Sequence, residues 1–254
     1  MKHTDEYSAT SPRALAPRLH AWPEQGRRPA GAAARQAVHV APEMQSAVLA
    51  TDRSGVGLSL SGRSREFARG HEIFRDGADA EFFFMVQSGV VRTCKFLRDG
   101  RRQVGSFHAA GDVFGLEVGV KHTASAVAVC DCAVVSYRRA SLESSAQHNG
   151  ELTLQLLSHT MRNLERTQRH STLLACGTAM ERVASFLVDC SEQSPNAEFV
   201  TLEMTREDIA DYLGLTIETI SRSLLELERA GLIDRPTARR VRLVDPVRLR
   251  QLGS

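Results

Sequence analysis

Glu218, Ser221 and Arg222 lie three and four residues apart, a spacing that stacks side chains on one face of a helix. Arg donates two parallel hydrogen bonds to guanine O6 and N7, Glu accepts from cytosine N4, and Ser serves either base. Near the start of a helix that enters the major groove, Glu218 and Arg222 suffice to read one G·C pair. A Glu–Arg pair one turn apart is also an ordinary surface feature, contributing about 0.3–0.5 kcal/mol. What these residues do is therefore decided by the elements that carry them.

Those elements are legible in MTREDIADYLGLTIETISRSLLELERAGL, residues 204–232. Thr205 followed by Asp208 is a capping box, Ile209, Ala210 and Leu213 make an apolar face, and Gly214 stands where a helix ends in a left-handed residue. Thr216 caps a second helix whose Ile220, Leu224 and Leu227 point to a core, leaving Glu218, Ser221, Arg222 and Leu225 on the other side. That is a helix-turn-helix. Gly231 then stops the chain, and LIDRP…RRVRLVD predicts a hairpin, so the module is a winged helix. Arg235, Arg239, Arg240 and Arg242 cluster there. As an alternative to phosphate contact, such charges keep a hairpin soluble. Phosphate contacts are assigned to Thr205, Arg206, Thr216 and Thr219 at the helix starts and to Arg239 and Arg240 on the wing.

DIADYLGLTIETISRSLLELERAGLI resembles the helix-turn-helix of the Crp/Fnr family, and ETISR is similar to its Fnr and FixK branches. In those branches Glu, Ser and Arg at the positions of Glu218, Ser221 and Arg222 read the half-site TTGAT. Ile217 stands where the Crp branch has a second reading Arg, which argues against a Crp-type half-site. The resemblance spans about residues 60–250. It implies an α+β fold with an N-terminal cyclic-nucleotide-binding-type β-roll, a long dimerisation helix and a C-terminal winged helix-turn-helix.

The chain has 254 residues, 42% hydrophobic and 24% charged, an ordinary balance for one large or two ordinary domains. A net charge of +2 and a pI near 8.4 make any nucleic-acid surface local. No apolar run approaches the roughly 20 residues of a membrane span. Pro12, Pro17, Pro23 and Pro29 interrupt the start of the chain, so no secretory segment is expected and the protein is taken as cytoplasmic. Residues 1–40 read as a disordered tail of net charge +3. An Arg-rich transit peptide is the alternative, and Asp5, Glu6 and Glu24 weaken it. Oxygen-sensing members of the Fnr branch carry iron–sulfur cysteines in this region, and this tail has none. Cys94, Cys130, Cys132, Cys176 and Cys190 match no ferredoxin spacing and, being odd in number, suggest no disulfide framework.

Residues 41–145 are assigned to the β-roll. Short apolar runs such as EFFFMVQSG, VVRTCKFL and SAVAVCDCAVVSY are separated by Gly77, Gly89, Gly100 and Gly111, the rhythm of an all-β sandwich or barrel. Within the resemblance, GDVFG at 111–115 opens the phosphate-cassette loop, where Crp holds a cyclic phosphate with an Arg–Ser pair and the ribose with a Glu. Here the loop runs GDVFGLEVGVKHTASAV, with Lys121, His122 and Ser125 but no arginine. Without a bidentate partner a cyclic nucleotide loses its strongest contact, unless Lys121 substitutes. His108 and His122 admit a haem reading, against the commoner solvated loop histidine. Cys130 and Cys132 are read as alternating on one strand and facing the same way, as buried cysteines rather than half a metal site. No cofactor and no metal site is expected.

Residues 146–176 are assigned to dimerisation. Leu154, Leu157, Met161, Leu164 and Gln168, continued by Ser171 and Ala175, follow a 3-4 spacing that predicts a coiled-coil seam, the alternative being one helix that covers the β-roll. Residues 173–246, with the helix-turn-helix at 205–225, form the DNA-binding domain. Thr178–Gln193 is read as a helix burying Val183, Phe186, Leu187 and Cys190, and Phe199–Leu202 as a short strand. No Ser/His/Asp, paired-carboxylate or P-loop constellation suggests an enzyme. The expectation is a homodimeric regulator of palindromic double-stranded DNA, TTGAT-N4-ATCAA, an activator of low-oxygen respiration and nitrogen-fixation genes docking beside RNA polymerase. The alternative is a sensor of the same family whose DNA binding needs haem, nitric oxide or a nucleotide.

Overall fold

The computed structural model describes residues 60–146, 149–194 and 199–253; the expected N-terminal tail lies outside them. The strands of the first half are β1 (Arg63–Phe67), β2 (Glu72–Phe74), β3 (Phe82–Ser88), β4 (Val91–Phe96), β5 (Arg102–His108), β6 (Val113–Phe114), β7 (Ser125–Ala128) and β8 (Cys132–Arg138). They form two four-stranded antiparallel sheets, ordered β1-β8-β3-β6 and β2-β7-β4-β5. The run FFFMV in β3 is buried on both faces. Phe84 and Val86 point between the sheets against Phe74, Val91, Phe114 and Val134. Phe83 and Met85 point outward and meet Leu152, Tyr137 and Val135. A strand covered on both sides reads as a continuous apolar run, so alternation is missing from the sequence here.

Gly77, Gly89, Gly100 and Gly111 all adopt positive φ, and at Gly89 a Cβ would lie 2.6 Å from the Asp131 carbonyl, so only glycine fits. Cys130 departs from expectation: β8 begins at Cys132, and Val129–Asp131 is a bend. Cys132 is buried while Cys130 is half-buried, so the two do not share a strand face.

After a short helix, α1 (Arg139–Ala146), the long helix α2 (Gly150–Cys176) starts at Asn149, whose side chain accepts the Leu152 N–H. At 1.5 Å per residue it is about 40 Å long. Its inner face packs Leu152 and Leu156 on the outer face of the β1-β8-β3-β6 sheet, and Asn163 and Arg166 bond to Val113 and Asp112. Its opposite face leaves Leu154, Leu157, Met161 and Leu164 exposed. Gly177 ends it, and a Cβ there would lie 2.7 Å from the Leu173 carbonyl.

The C-terminal module comprises α3 (Ala179–Gln193), β9 (Val200–Thr201), α4 (Arg206–Leu213), α5 (Ile217–Arg229), β10 (Ile233–Asp234), β11 (Arg240–Leu243) and α6 (Pro246–Leu252). Val183, Phe186 and Leu187 of α3 share one core with Ile209, Leu213, Ile220, Leu224, Leu227, Val241 and Leu249. Strand β9 joins the hairpin as β10-β11-β9. Helix α6 lies beyond the hairpin taken as the end of the module. Its signal was present in Asp245 as N-cap with Pro246 at the first helical position.

Candidate nucleic-acid interface

Helix α4 carries the expected capping box: Asp208 N–H donates to Thr205 Oγ1 (3.1 Å), and Thr205 N–H donates to Asp208 Oδ2 (3.1 Å). Gly214 takes φ 63°, ψ 38° and turns the chain into α5. Thr216 caps α5, accepting the Thr219 N–H at 3.2 Å, with the two hydroxyls 3.0 Å apart. Ile220, Ser223, Leu224 and Leu227 are buried behind α5, and this core orients the other face to solvent. Glu218, Ser221 and Arg222 are all exposed on that face.

Glu218 and Arg222 do not pair with each other among the described residues. A hydrogen bond from its own backbone N–H and then one from Thr216 hold the Glu218 carboxyl below the usual carboxylate range. Ser221 Oγ donates to the Ile217 carbonyl (2.9 Å), which leaves its lone pairs to accept. The face can thus present a carboxylate acceptor, a hydroxyl acceptor and a guanidinium donor within one turn.

On the wing, Thr237 Oγ1 accepts the backbone N–H groups of Arg239 (3.3 Å) and Arg240 (3.0 Å) and orders the turn that displays them. The Arg240 guanidinium lies 4.3 Å from the Phe199 ring centroid, and Arg239 is exposed. Arg206 donates to the Ala238 carbonyl (2.7 Å), tying the start of α4 to the wing. Arg235 and Arg242 differ from the rest of the expected cluster. Each is paired, to Glu228 and to Asp234 (2.8 Å) respectively, so among the described residues the wing guanidinium groups with no carboxylate partner are those of Arg239 and Arg240.

The polar groups of the cassette loop find their partners in the loop itself and in the residues packed around it. Lys121 Nζ donates to the Gly77 carbonyl (3.0 Å) and pairs with Asp79 (3.3 Å). An arginine does reach the loop, from outside it: Arg139 donates to the carbonyls of Ala80 (3.2 Å), Gly119 (2.7 Å) and Glu117 (2.6 Å). No local pattern signals this, because the contact joins residues about twenty or more apart. His122 and His108 are buried, against the expectation of solvated loop histidines. His122 stacks on Phe74 (centroids 3.7 Å) and its Nδ1 lies 2.9 Å from Glu117. His108 stacks on Phe114 (5.1 Å) with Nε2 3.3 Å from Thr93 Oγ1. Burial pushes His108 down to about 4, with Asp112 opposing and Arg166 assisting. Among the described residues no three His, Cys, Asp or Glu side chains converge at metal-ligand spacing, and no helix is long and apolar enough to cross a membrane.

A β-roll, a long helix with one apolar face left open, and a winged helix-turn-helix together define a transcription regulator. The Crp-like helix-turn-helix domain matches residues 181–252, and the cyclic nucleotide-binding domain matches residues 64–149. The chain is 48% identical over 193 residues to the nitrogen fixation regulation protein FixK of Azorhizobium caulinodans, covering 74% of this chain and 78% of that one. It is 37% identical to the FixK of Rhizobium meliloti, covering 72% and 83%. The solved structure of FixK2 from Bradyrhizobium japonicum superposes with a TM-score of 0.73 at 39% identity, covering 77% and 98%. This chain belongs to the Crp/Fnr family of transcription regulators, and with such relatives it is a regulator rather than an enzyme.

Proposed function

We propose that this chain acts in the cytoplasm as a homodimer on TTGAT-N4-ATCAA. In this reading Glu218, Ser221 and Arg222 read base edges while Thr205, Arg206, Thr216, Thr219, Arg239 and Arg240 hold phosphates. The bound dimer docks beside RNA polymerase to activate low-oxygen respiration and nitrogen-fixation genes. The observation that carries the proposal is the exposed Glu218–Ser221–Arg222 face, backed by the buried Ile220, Leu224 and Leu227. The dimer is supported by Leu154, Leu157, Met161 and Leu164, which are 65%, 49%, 62% and 56% exposed along one side of α2. Isolated apolar residues on a surface are common, whereas a continuous helical stripe of this kind points to a partner.

Binding is proposed to need no effector, because Arg139, Lys121 and the Glu117–His122 pair already occupy the polar groups of the cassette loop. The experiment is footprinting on the palindrome with protein freed of metal and nucleotide. Protection of both half-sites is expected. Protection that appears only with cAMP, or only in protein with a haem absorption band, would overturn the effector-free reading.

A further inference from the structure

Helix α4, the first helix of the helix-turn-helix, is gripped at both ends by other parts of the chain. At its start Asp208, 2% exposed, is reached by two arginines of the β-roll. Asp208 Oδ1 accepts from Arg92 Nη1 of β4 (2.6 Å) and Arg102 Nη2 of β5 (2.9 Å). Arg102 Nε also donates to Asp211 Oδ2 (2.7 Å), one helical turn along. At its end Arg182 of α3 spreads one guanidinium over three carbonyls: Leu213 of α4 (3.0 Å), Leu174 of α2 (3.0 Å) and Gly177 between α2 and α3 (2.9 Å). One end is thus tied to the β-roll and the other to the helix that bears the apolar seam.

We propose that Arg92, Arg102, Asp208 and Asp211, with Arg182, are positioning residues that set the distance and angle between the two recognition helices of the dimer, and hence the half-site spacing the protein accepts. This rests on the palindrome reading above. None of them lies on the reading face of α5. A buried ion pair is poor as a source of net stability, because desolvating both charges offsets their attraction. Its geometry, however, is demanding. A planar guanidinium bonds a carboxylate in few orientations, and any rotation of α4 away from the β-roll would strand the Asp208 charge with both arginine donors gone. Two recognition helices must lie about one DNA turn, roughly 34 Å, apart to enter successive major grooves. A winged helix joined to α2 only through Gly177 would serve several separations, whereas one clamped at both ends of α4 serves one.

The test uses the full chain with Arg102→Gln, Asp208→Asn and the double variant. Arg102→Gln leaves every atom of the winged helix in place, and Asn at 208 still accepts the Thr205 N–H, so the cap survives. Affinity is measured on TTGAT-N4-ATCAA, on operators with the spacer shortened or lengthened by two base pairs, and on a single half-site at low salt. Each single variant should lose about tenfold on the N4 operator, within the usual range of inter-site coupling. Half-site affinity should hold within about twofold, and the preference for N4 should shrink. The double variant should lose less than the product of the two single losses, because both variants remove the Arg102–Asp208 contact while each also touches one the other leaves, Arg102–Asp211 or Arg92–Asp208. Equal losses on half-site and operator would overturn the proposal, since that pattern marks damage to the winged helix itself. So would an N4 preference unchanged in both single variants. If the wild type itself showed no spacing preference, the palindrome reading would fall first and the clamp reading with it.

Discussion

His170 of α2 lies flat on Tyr212 of α4, with ring centroids 4.0 Å apart and planes within 6°. This is a second tie between the long helix and the helix-turn-helix, beside the one Arg182 makes through Leu174 and Leu213. Burial lowers the His170 pKa, opposed by a hydrogen bond with the Tyr212 backbone and assisted by Arg182. Burial thus favours the neutral imidazole in this contact.

Stability should fall on mild acidification, and His108 sets the window. Its folded pKa is depressed to about 4 from an ordinary 6.5, so between those values the unfolded chain binds more protons than the native one. Stability rises with pH in that interval and is lost as pH falls through it. By pH 5 the loss from this group is about 2 kcal/mol. Urea unfolding of wild type and His108→Leu at pH 7 and pH 5 checks this. The variant should lack that part of the pH dependence, with Asp112 and Arg166 unchanged in both.

Glu218→Ala and Arg222→Ala should each cost about 1–3 kcal/mol on the cognate operator and relax discrimination at one base pair. Arg239→Ala should instead weaken binding to all sequences alike and reduce the salt slope by about one unit, because a phosphate contact releases a counterion whatever the base. Titrations on the palindrome and on single-pair variants at several salt concentrations distinguish them. Equal loss on cognate and scrambled DNA would make Arg222 a phosphate anchor.

Met161→Glu should convert the proposed dimer to monomer in sedimentation and abolish operator binding at nanomolar protein. The monomer should keep its fold, since Met161 is 62% exposed and makes no part of the described cores. A dimer that survives the change would place the interface elsewhere.

Thr205→Ala should destabilise the C-terminal module by about 1 kcal/mol through loss of the cap. Gly214→Ala should cost a similar amount, about 1–2 kcal/mol, because Gly214 sits at φ 63° where a Cβ is strained. Denaturant midpoints of the two variants test both values.

The winged helix was legible in the sequence because its determinants are local. Thr205 with Asp208, Gly214, Thr216, and the Ile220–Leu224–Leu227 spacing are caps, a turn and a period, each read within a few residues. The exposed stripe from Leu154 to Leu164 is similarly a matter of helical period. Asp208 shows where such reading stops. Its capping role follows from its neighbour Thr205, but its bonds to Arg92 and Arg102 join residues more than a hundred apart. Arg139 reaching the cassette loop and His108 and His122 inside the roll are likewise decided by the fold, whereas Arg235 and Arg242 pair with Glu228 and Asp234 only seven and eight residues away, once α5 and the hairpin lie together. A charged or imidazole side chain shows no sign in its own sequence of whether solvent or a distant partner meets it. Only the folded chain decides that, because closing the long loops between such residues depends on the burial of the apolar core around them.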